Sequence, residues 1–313
     1  MHLLLIHTGG TIGMAQTEIG FAPRAGVLEA ALAKLAPSAQ ITLLPLAPLI
    51  DSANATPADW NRIAAAIEAG QARYDGFVVT HGTDTLAFTA AALCFALAGL
   101  RRPVILTGSM LPLTLAGSDG AANLSDAIAA AQTAPAGVWV QFAGRLLHGA
   151  RLRKAHSSAP AAFTASPTAA PPWQAADDVH RTAYQPSKLA ILTMAPGQSP
   201  ELIAHALSHC DGVVLRVFGA GTLPETPEIA AALRSAKQRG TRMIAVSQSP
   251  EGGVSLGTYA AGNLMVECGV IDGGDMTPEA AYTKLAHVLS LPEAQRDAAL
   301  ARVICGEVSA SRA

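Results

Sequence analysis

Short unbroken apolar runs recur along the chain, at residues 2–6, 41–46, 76–81, 103–107 and 137–142, then at 189–194, 212–217 and 242–247. A strand with one wet face alternates apolar and polar residues, whereas a strand covered on both faces stays apolar throughout. The runs here are of the second kind. Between them lie longer alanine-rich stretches; after Thr83-Asp84-Thr85, for example, Leu86, Ala90, Leu93 and Leu97 recur at helical spacing. Thr226-Pro227-Glu228 and Thr277-Pro278-Glu279 each read as a helix start. The threonine caps, the proline lacks an N–H that the first turn cannot use, and the acid meets the positive end of the helix dipole. Strands alternating with helices predict an α/β fold built on a doubly wound, mainly parallel sheet.

From residue 159 to 186 proline and alanine dominate and no period survives, the composition of a connector. The expected organisation is a larger N-terminal domain over 1–180, a linker at 181–187 and a smaller C-terminal α/β domain over 188–313. A chain of 313 residues is long enough for each to bury a core.

Charged residues make up 14% of the chain and the net charge is −2, so no face attracts a polyanion and nucleic-acid binding is not expected. No apolar run approaches the ~18 residues of a membrane helix. The first run lacks the basic start and length of a secretion signal. The four cysteines, Cys94, Cys210, Cys268 and Cys305, form no CxxC pair, which points to free thiols and against a metal knot. Together these features predict a cytoplasmic protein with no membrane partner.

Three segments carry candidate chemistry. The first strand runs into His7-Thr8-Gly9-Gly10-Thr11; two glycines permit a sharp turn and a close ligand, and Thr11 presents a hydroxyl. Alone, this is more often a plain strand-to-loop turn. The third strand ends in Thr80-His81-Gly82-Thr83-Asp84-Thr85. Backbone N–H groups at a helix start suit a carboxylate, and Asp84 suits an ammonium group, although threonine and aspartate also serve as simple caps. Arg151-Leu152-Arg153-Lys154-Ala155-His156 reads as a solvated basic run unless Lys154 turns inward beside Thr83 and Asp84. There burial favours the neutral amine and Asp84 the ammonium, the balance a proton shuttle needs. His81 and His156 read as structural or peripheral.

Taken jointly, these segments, with residues 48–52 PLIDS, 107–110 TGSM, Gly262-Asn263, Asp275-Met276-Thr277 and Cys305-Gly306-Glu307, resemble the bacterial-type L-asparaginase family, closest to its short cytoplasmic type I branch. The resemblance covers essentially the whole chain. It implies hydrolysis of the side-chain amide of L-asparagine, with no cofactor and no metal. It implies Thr11 as nucleophile and Thr83, Asp84 and Lys154 as a hydrogen-bonded catalytic group. Gly10, Asp51, Ser52, Gly82 and Ser109 are implied as substrate-binding positions, and a homodimer or homotetramer as the assembly.

Two departures stand out. The family usually places a tyrosine after the GGT loop, where this chain has Phe21, which keeps the ring and lacks the hydroxyl; Tyr259 and Tyr282 are candidate substitutes. Ala53 follows Ser52 where secreted members tend to carry glutamine, which leaves Asn263, from a partner subunit, to assist with the ammonium group. The segment at residues 15–25 is expected to close over the substrate. Competing readings are a broad glutaminase-asparaginase, an amidotransferase subunit and a non-catalytic amino-acid sensor.

Overall fold

The computed structural model describes residues 1–36, 39–168, 170–258 and 262–309. It divides into two compact units, Met1–Ala165 with Pro171–Ala183, and Ser166–Ala170 with Tyr184–Ala313.

The N-terminal unit contains β1 (His2–Gly9), β2 (Met14–Thr17), β3 (Gly20–Pro23), α1 (Val27–Leu35), β4 (Gln40–Ile50), α2 (Pro57–Gly70) and β5 (Gly76–Thr80). It continues with α3 (Leu86–Ala96), β6 (Leu97–Ala98), β7 (Pro103–Thr107), α4 (Gly120–Thr133), β8 (Gly137–Phe142), β9 (Arg145–His148), β10 (Leu152–Lys154), β11 (Phe163–Ala165) and β12 (His180–Arg181). Its main sheet has the order β4-β1-β5-β7-β8-β9. Every pairing is parallel except β8–β9.

The unbroken apolar runs follow from burial on both faces. Leu3, Leu5, Val78 and Ile105 pack with Leu28 of α1 and with Leu124 and Ile128 of α4. The alternate residues Leu4, Ile6, Phe77, Val79 and Leu106 are also buried, and strand geometry sends them to the other face. α3 is apolar on all sides and almost wholly buried, as a helix without a polar face must be.

Four features exceed the sequence pattern. Residues 15–25 are largely a hairpin, β2 pairing with β3. An antiparallel strand, β9, closes one sheet edge. Within the proline- and alanine-rich stretch, β11 pairs with β10 and β12 with β6. The carbonyl of Pro172 accepts from Val138 N, so much of that stretch is bound to the N-terminal unit by main-chain hydrogen bonds.

The C-terminal unit contains β13 (Leu189–Thr193), α5 (Pro200–His209), β14 (Gly212–Val217), α6 (Pro227–Arg239), β15 (Arg242–Ser247), α7 (Asn263–Glu267), β16 (Ile271–Asp272), α8 (Pro278–Ser290) and α9 (Glu293–Ala301). Its sheet is parallel throughout, in the order β13-β14-β15-β16. Both expected helix starts are present: Thr226 accepts from Ile229 N and Thr277 from Ala280 N. Val213, Leu215, Met243 and Leu233 anchor the core. All four cysteines are free. Among the described residues no helix is long and apolar enough to cross a membrane.

Candidate active site

In a parallel sheet the loops after successive strands gather at the carboxyl edge, where ligands bind. β1, β4, β5 and β7 are neighbours, so the segments that follow them meet. Gly10 holds φ +88°, and a Cβ there would lie 2.5 Å from Gly82 N; only glycine lets the first loop approach the third this closely. Gly82 in turn faces Ser52, whose side chain occupies the space a Cβ would need. The Thr8 hydroxyl donates to Thr80 O at 2.8 Å, and the Thr85 hydroxyl donates to Ser52 O at 2.7 Å. These bonds tie the three loops together before any functional group is considered.

Thr11 opens a single helical turn directly after Gly10. Lys154 ends β10, whose pairing with β11 fixes its backbone. Its ammonium donates to Thr83 Oγ1 at 3.0 Å and to Asp84 Oδ1 at 2.7 Å. Thr83 is buried, whereas the Asp84 side chain is 66% exposed. The pair therefore sits at the mouth of the site, with one side open to water.

A cavity of about 260 Å³ is lined by Gly10, Thr11, Asp51, Ser52, Gly82, Thr83, Asp84 and Lys154, with Met14, Met110 and Ser157. All of these belong to the N-terminal unit. Hydroxyls, two carboxylates and an ammonium in so small a space suit a compact zwitterion better than an extended or apolar ligand. Asp51 is turned partly to its own loop, accepting from Ala53 N at 3.2 Å and from Asn54 Nδ2 at 2.8 Å.

Ser109 does not line the cavity. It is buried beside Met110, and among the described residues its hydroxyl has no hydrogen-bond partner. Phe21 lies on β3 opposite Gln16, 45% exposed and outside the lining. Asn263 begins α7 in the C-terminal unit, exposed. Tyr282 lies within α8, and Tyr259 falls outside the described residues. Sequence reasoning did not place Met14, Met110 or Ser157 in the lining, and their signal is slight: Met110 closes the 107–110 motif, and Met14 and Ser157 each lie three positions after a candidate catalytic residue.

The nearby histidines are occupied structurally. Burial lowers the pKa of His81, which stays neutral despite opposing help from the Gly82 carbonyl and Asp59. Its Nδ1 meets Gly82 O at 2.7 Å, an acceptor only, so Nδ1 carries the proton and Nε2 accepts from the Thr89 hydroxyl at 3.0 Å. Burial also lowers His7, against a weaker opposing pull from Glu29; its Nδ1 contacts the Thr80 hydroxyl at 2.8 Å. His156 Nδ1 accepts from Ser158 N and Ala159 N. Among the described residues no group of three His, Cys, Asp or Glu could hold a metal ion.

Two family profiles match the chain, Asparaginase, N-terminal over residues 2–187 and Glutaminase/Asparaginase C-terminal domain over residues 188–299. The chain is 38% identical to L-asparaginase 1 of Escherichia coli K12, over 92% of this chain and 91% of that protein. It is similar to the crystal structure of L-asparaginase I from Vibrio cholerae, with TM-score 0.87, 35% identity and 98% of each chain covered. The thermostable L-asparaginase from Thermococcus kodakarensis superposes with TM-score 0.86 and 34% identity, covering 99% of this chain and 100% of its own.

Proposed function

The chain belongs to the asparaginase family, and on that premise we propose that it is an L-asparaginase, hydrolysing the side-chain amide of L-asparagine to L-aspartate and ammonia. The observation that carries this reading is the convergence of Thr11 with the Thr83–Lys154–Asp84 group on one small polar cavity. A store of bound amino acid would need the charges and could dispense with a lysine hydrogen-bonded to a buried threonine hydroxyl.

In the proposed sequence of events the Thr11 hydroxyl attacks the amide carbon, and its proton passes by way of the Thr83 hydroxyl to Lys154 as the lysine gives one of its own to the amide nitrogen. Backbone N–H groups meet the developing oxyanion. The amide nitrogen takes up that proton and departs as ammonia, leaving aspartate esterified to Thr11. Water cleaves the ester, the proton returns to Thr11, and aspartate leaves. Ser52 and the backbone at Gly82 would hold the α-carboxylate, and Asp84 the α-ammonium. Asp51 and Gly10, which line the cavity, would complete the substrate contacts. We also take the enzyme to work in the cytoplasm as a homodimer or homotetramer, without cofactor or metal.

A broader glutaminase-asparaginase differs by one substrate methylene, worth about 1–3 kcal/mol in a pocket. The long, pliable side chains of Met14 and Met110 in the lining favour giving this second reading a test. Ammonia release from L-asparagine and L-glutamine, by the protein and by Thr11→Ala, decides both. Turnover of asparagine that collapses in the variant is expected. Aspartate binding with no turnover of either amide would leave a sensor on an asparaginase fold.

A further inference from the structure

We infer that Asp119, which does not itself line the cavity, is a positioning residue for the reaction proposed above, and that it acts by fixing the turn at residues 108–111. This inference rests on that functional reading. Asp119 stands at the N-cap of α4, where an aspartate ordinarily accepts from the first free N–H groups of its own helix. It makes no such bond. The Gly120 N–H is taken instead by the Ser118 hydroxyl at 3.0 Å.

The Asp119 carboxylate is spent elsewhere. Its two oxygens accept from Met110 N at 3.0 and 2.9 Å, and Oδ1 accepts from Leu111 N at 3.0 Å. Oδ2 also accepts from Asn123 Nδ2 at 3.0 Å. Asn123, one turn further along α4 and buried, donates from the same Nδ2 to Gly108 O at 3.0 Å. Its Oδ1 accepts from Ala143 N at 2.9 Å, the residue that holds φ +48°. Two side chains on one helix therefore satisfy Gly108 O, Met110 N and Leu111 N.

The turn so held leaves the carboxyl end of β7 and delivers Met110 to the cavity wall, with buried Ser109 behind it. Hydrogen bonds to a carboxylate are short and strong, and the first turn of α4 adds a favourable dipole. Without Asp119, two N–H groups lose their acceptor and the turn can seek other partners. A shift of about 1 Å at a reacting centre costs on the order of 10²-fold in rate. The wall that Met110 forms would move with it, changing which amide side chain fits.

The test compares wild type, Asp119→Ala, Asp119→Asn and Thr226→Ala. Thr226→Ala removes the cap of α6 in the C-terminal unit and controls for loss of stability alone. Steady-state kinetics with asparagine and glutamine are measured per mole of folded protein. We expect Asp119→Ala to lose ~10²-fold in kcat/KM and to change the asparagine-to-glutamine ratio. Asp119→Asn, which keeps one accepting oxygen, should recover part of both, while Thr226→Ala keeps wild-type kinetics. Folded Asp119→Ala with unchanged kcat, KM and ratio overturns the inference; if that variant does not fold, the same criteria apply to Asp119→Asn. A wild type that releases no ammonia overturns the functional reading itself, and this inference with it.

Discussion

Among the described residues each unit holds a close lysine–carboxylate pair, and the two are built to opposite ends. In the N-terminal unit, Lys154 and Asp84 meet at 2.7 Å with side chains 20% and 66% exposed. In the C-terminal unit, Lys284 of α8 and Glu307 meet at 2.9 Å with side chains 3% and 0% exposed. The sealed pair is saturated with protein partners. Lys284 also donates to Arg302 O, and Glu307 accepts from the N–H groups of Ile304 and Cys305. Burial works against the Glu307 carboxylate, yet the Lys284 ammonium and the Cys305 N–H hold its pKa below the usual range. The open pair has water on one side and a threonine hydroxyl on the other. Removing half of a sealed pair strands a buried charge, whereas water replaces a lost partner in an open one. The same two charges thus serve the fold in one place and can serve chemistry in the other.

The comparison can be broken at several points. Lys154→Met should reduce turnover of asparagine by roughly 10²–10⁴-fold, the scale of a lost proton-transfer group, with little change in the urea midpoint. Glu307→Gln should do the reverse, costing about 3–5 kcal/mol of stability while folded molecules keep their turnover. A urea series on both variants, alongside ammonia release, checks the pair of outcomes.

His287, one turn along α8 from Lys284, sharpens the contrast through pH. Burial, with Arg302 and Lys284 adding to it and Glu307 opposing, lowers its pKa from 6.5 to about 4. The unfolded chain therefore binds this proton more readily than the folded one. The associated stability is fully present above the ordinary pKa and is lost as pH falls from about 6.5 to about 4, by roughly 3 kcal/mol. His287→Gln should flatten the stability curve in that window; parallel curves for variant and wild type would refute the assignment. The smallest effect is expected of Asp84→Asn, whose exposed pair should contribute no more than about 1 kcal/mol to the urea-derived stability.

Much of this architecture was legible from residues alone. The eight apolar runs correspond to β1, β4, β5, β7, β8, β13, β14 and β15. The central strands β5, β7, β14 and β15 are buried on both faces and leave the expected local signature, whereas β4 and β13, at sheet edges, keep an apolar run while only partly covered. β6, β11 and β12 were not legible. They are two or three residues long, too short to show a period, and the pairing of β6 with β12 joins segments distant in sequence. The hairpin of β2 and β3 was read only as a loop, since Phe21 and Ile19 stand exposed and give no buried face to detect.

The site divides in the same way. Thr11, Ser52, Thr83 and Lys154 are too far apart in sequence for any local pattern to bring them together, and the family resemblance supplied that grouping. Met14 and Met110 carry no sign of lining a cavity in the sequence, because an apolar side chain in such a wall has the pattern of core. Asp119 precedes α4 as a simple cap would, and only the direction of its carboxylate distinguishes it from one.

In the proposed mechanism the open lysine pair serves catalysis and the sealed pair serves the fold. The most direct test of this division is ammonia release from L-asparagine, per mole of folded protein, for wild type, Lys154→Met and Glu307→Gln under one set of conditions. Wild-type turnover is expected in folded Glu307→Gln and near-complete loss in a fully folded Lys154→Met. Lys154→Met turning over asparagine at the wild-type rate would contradict the division.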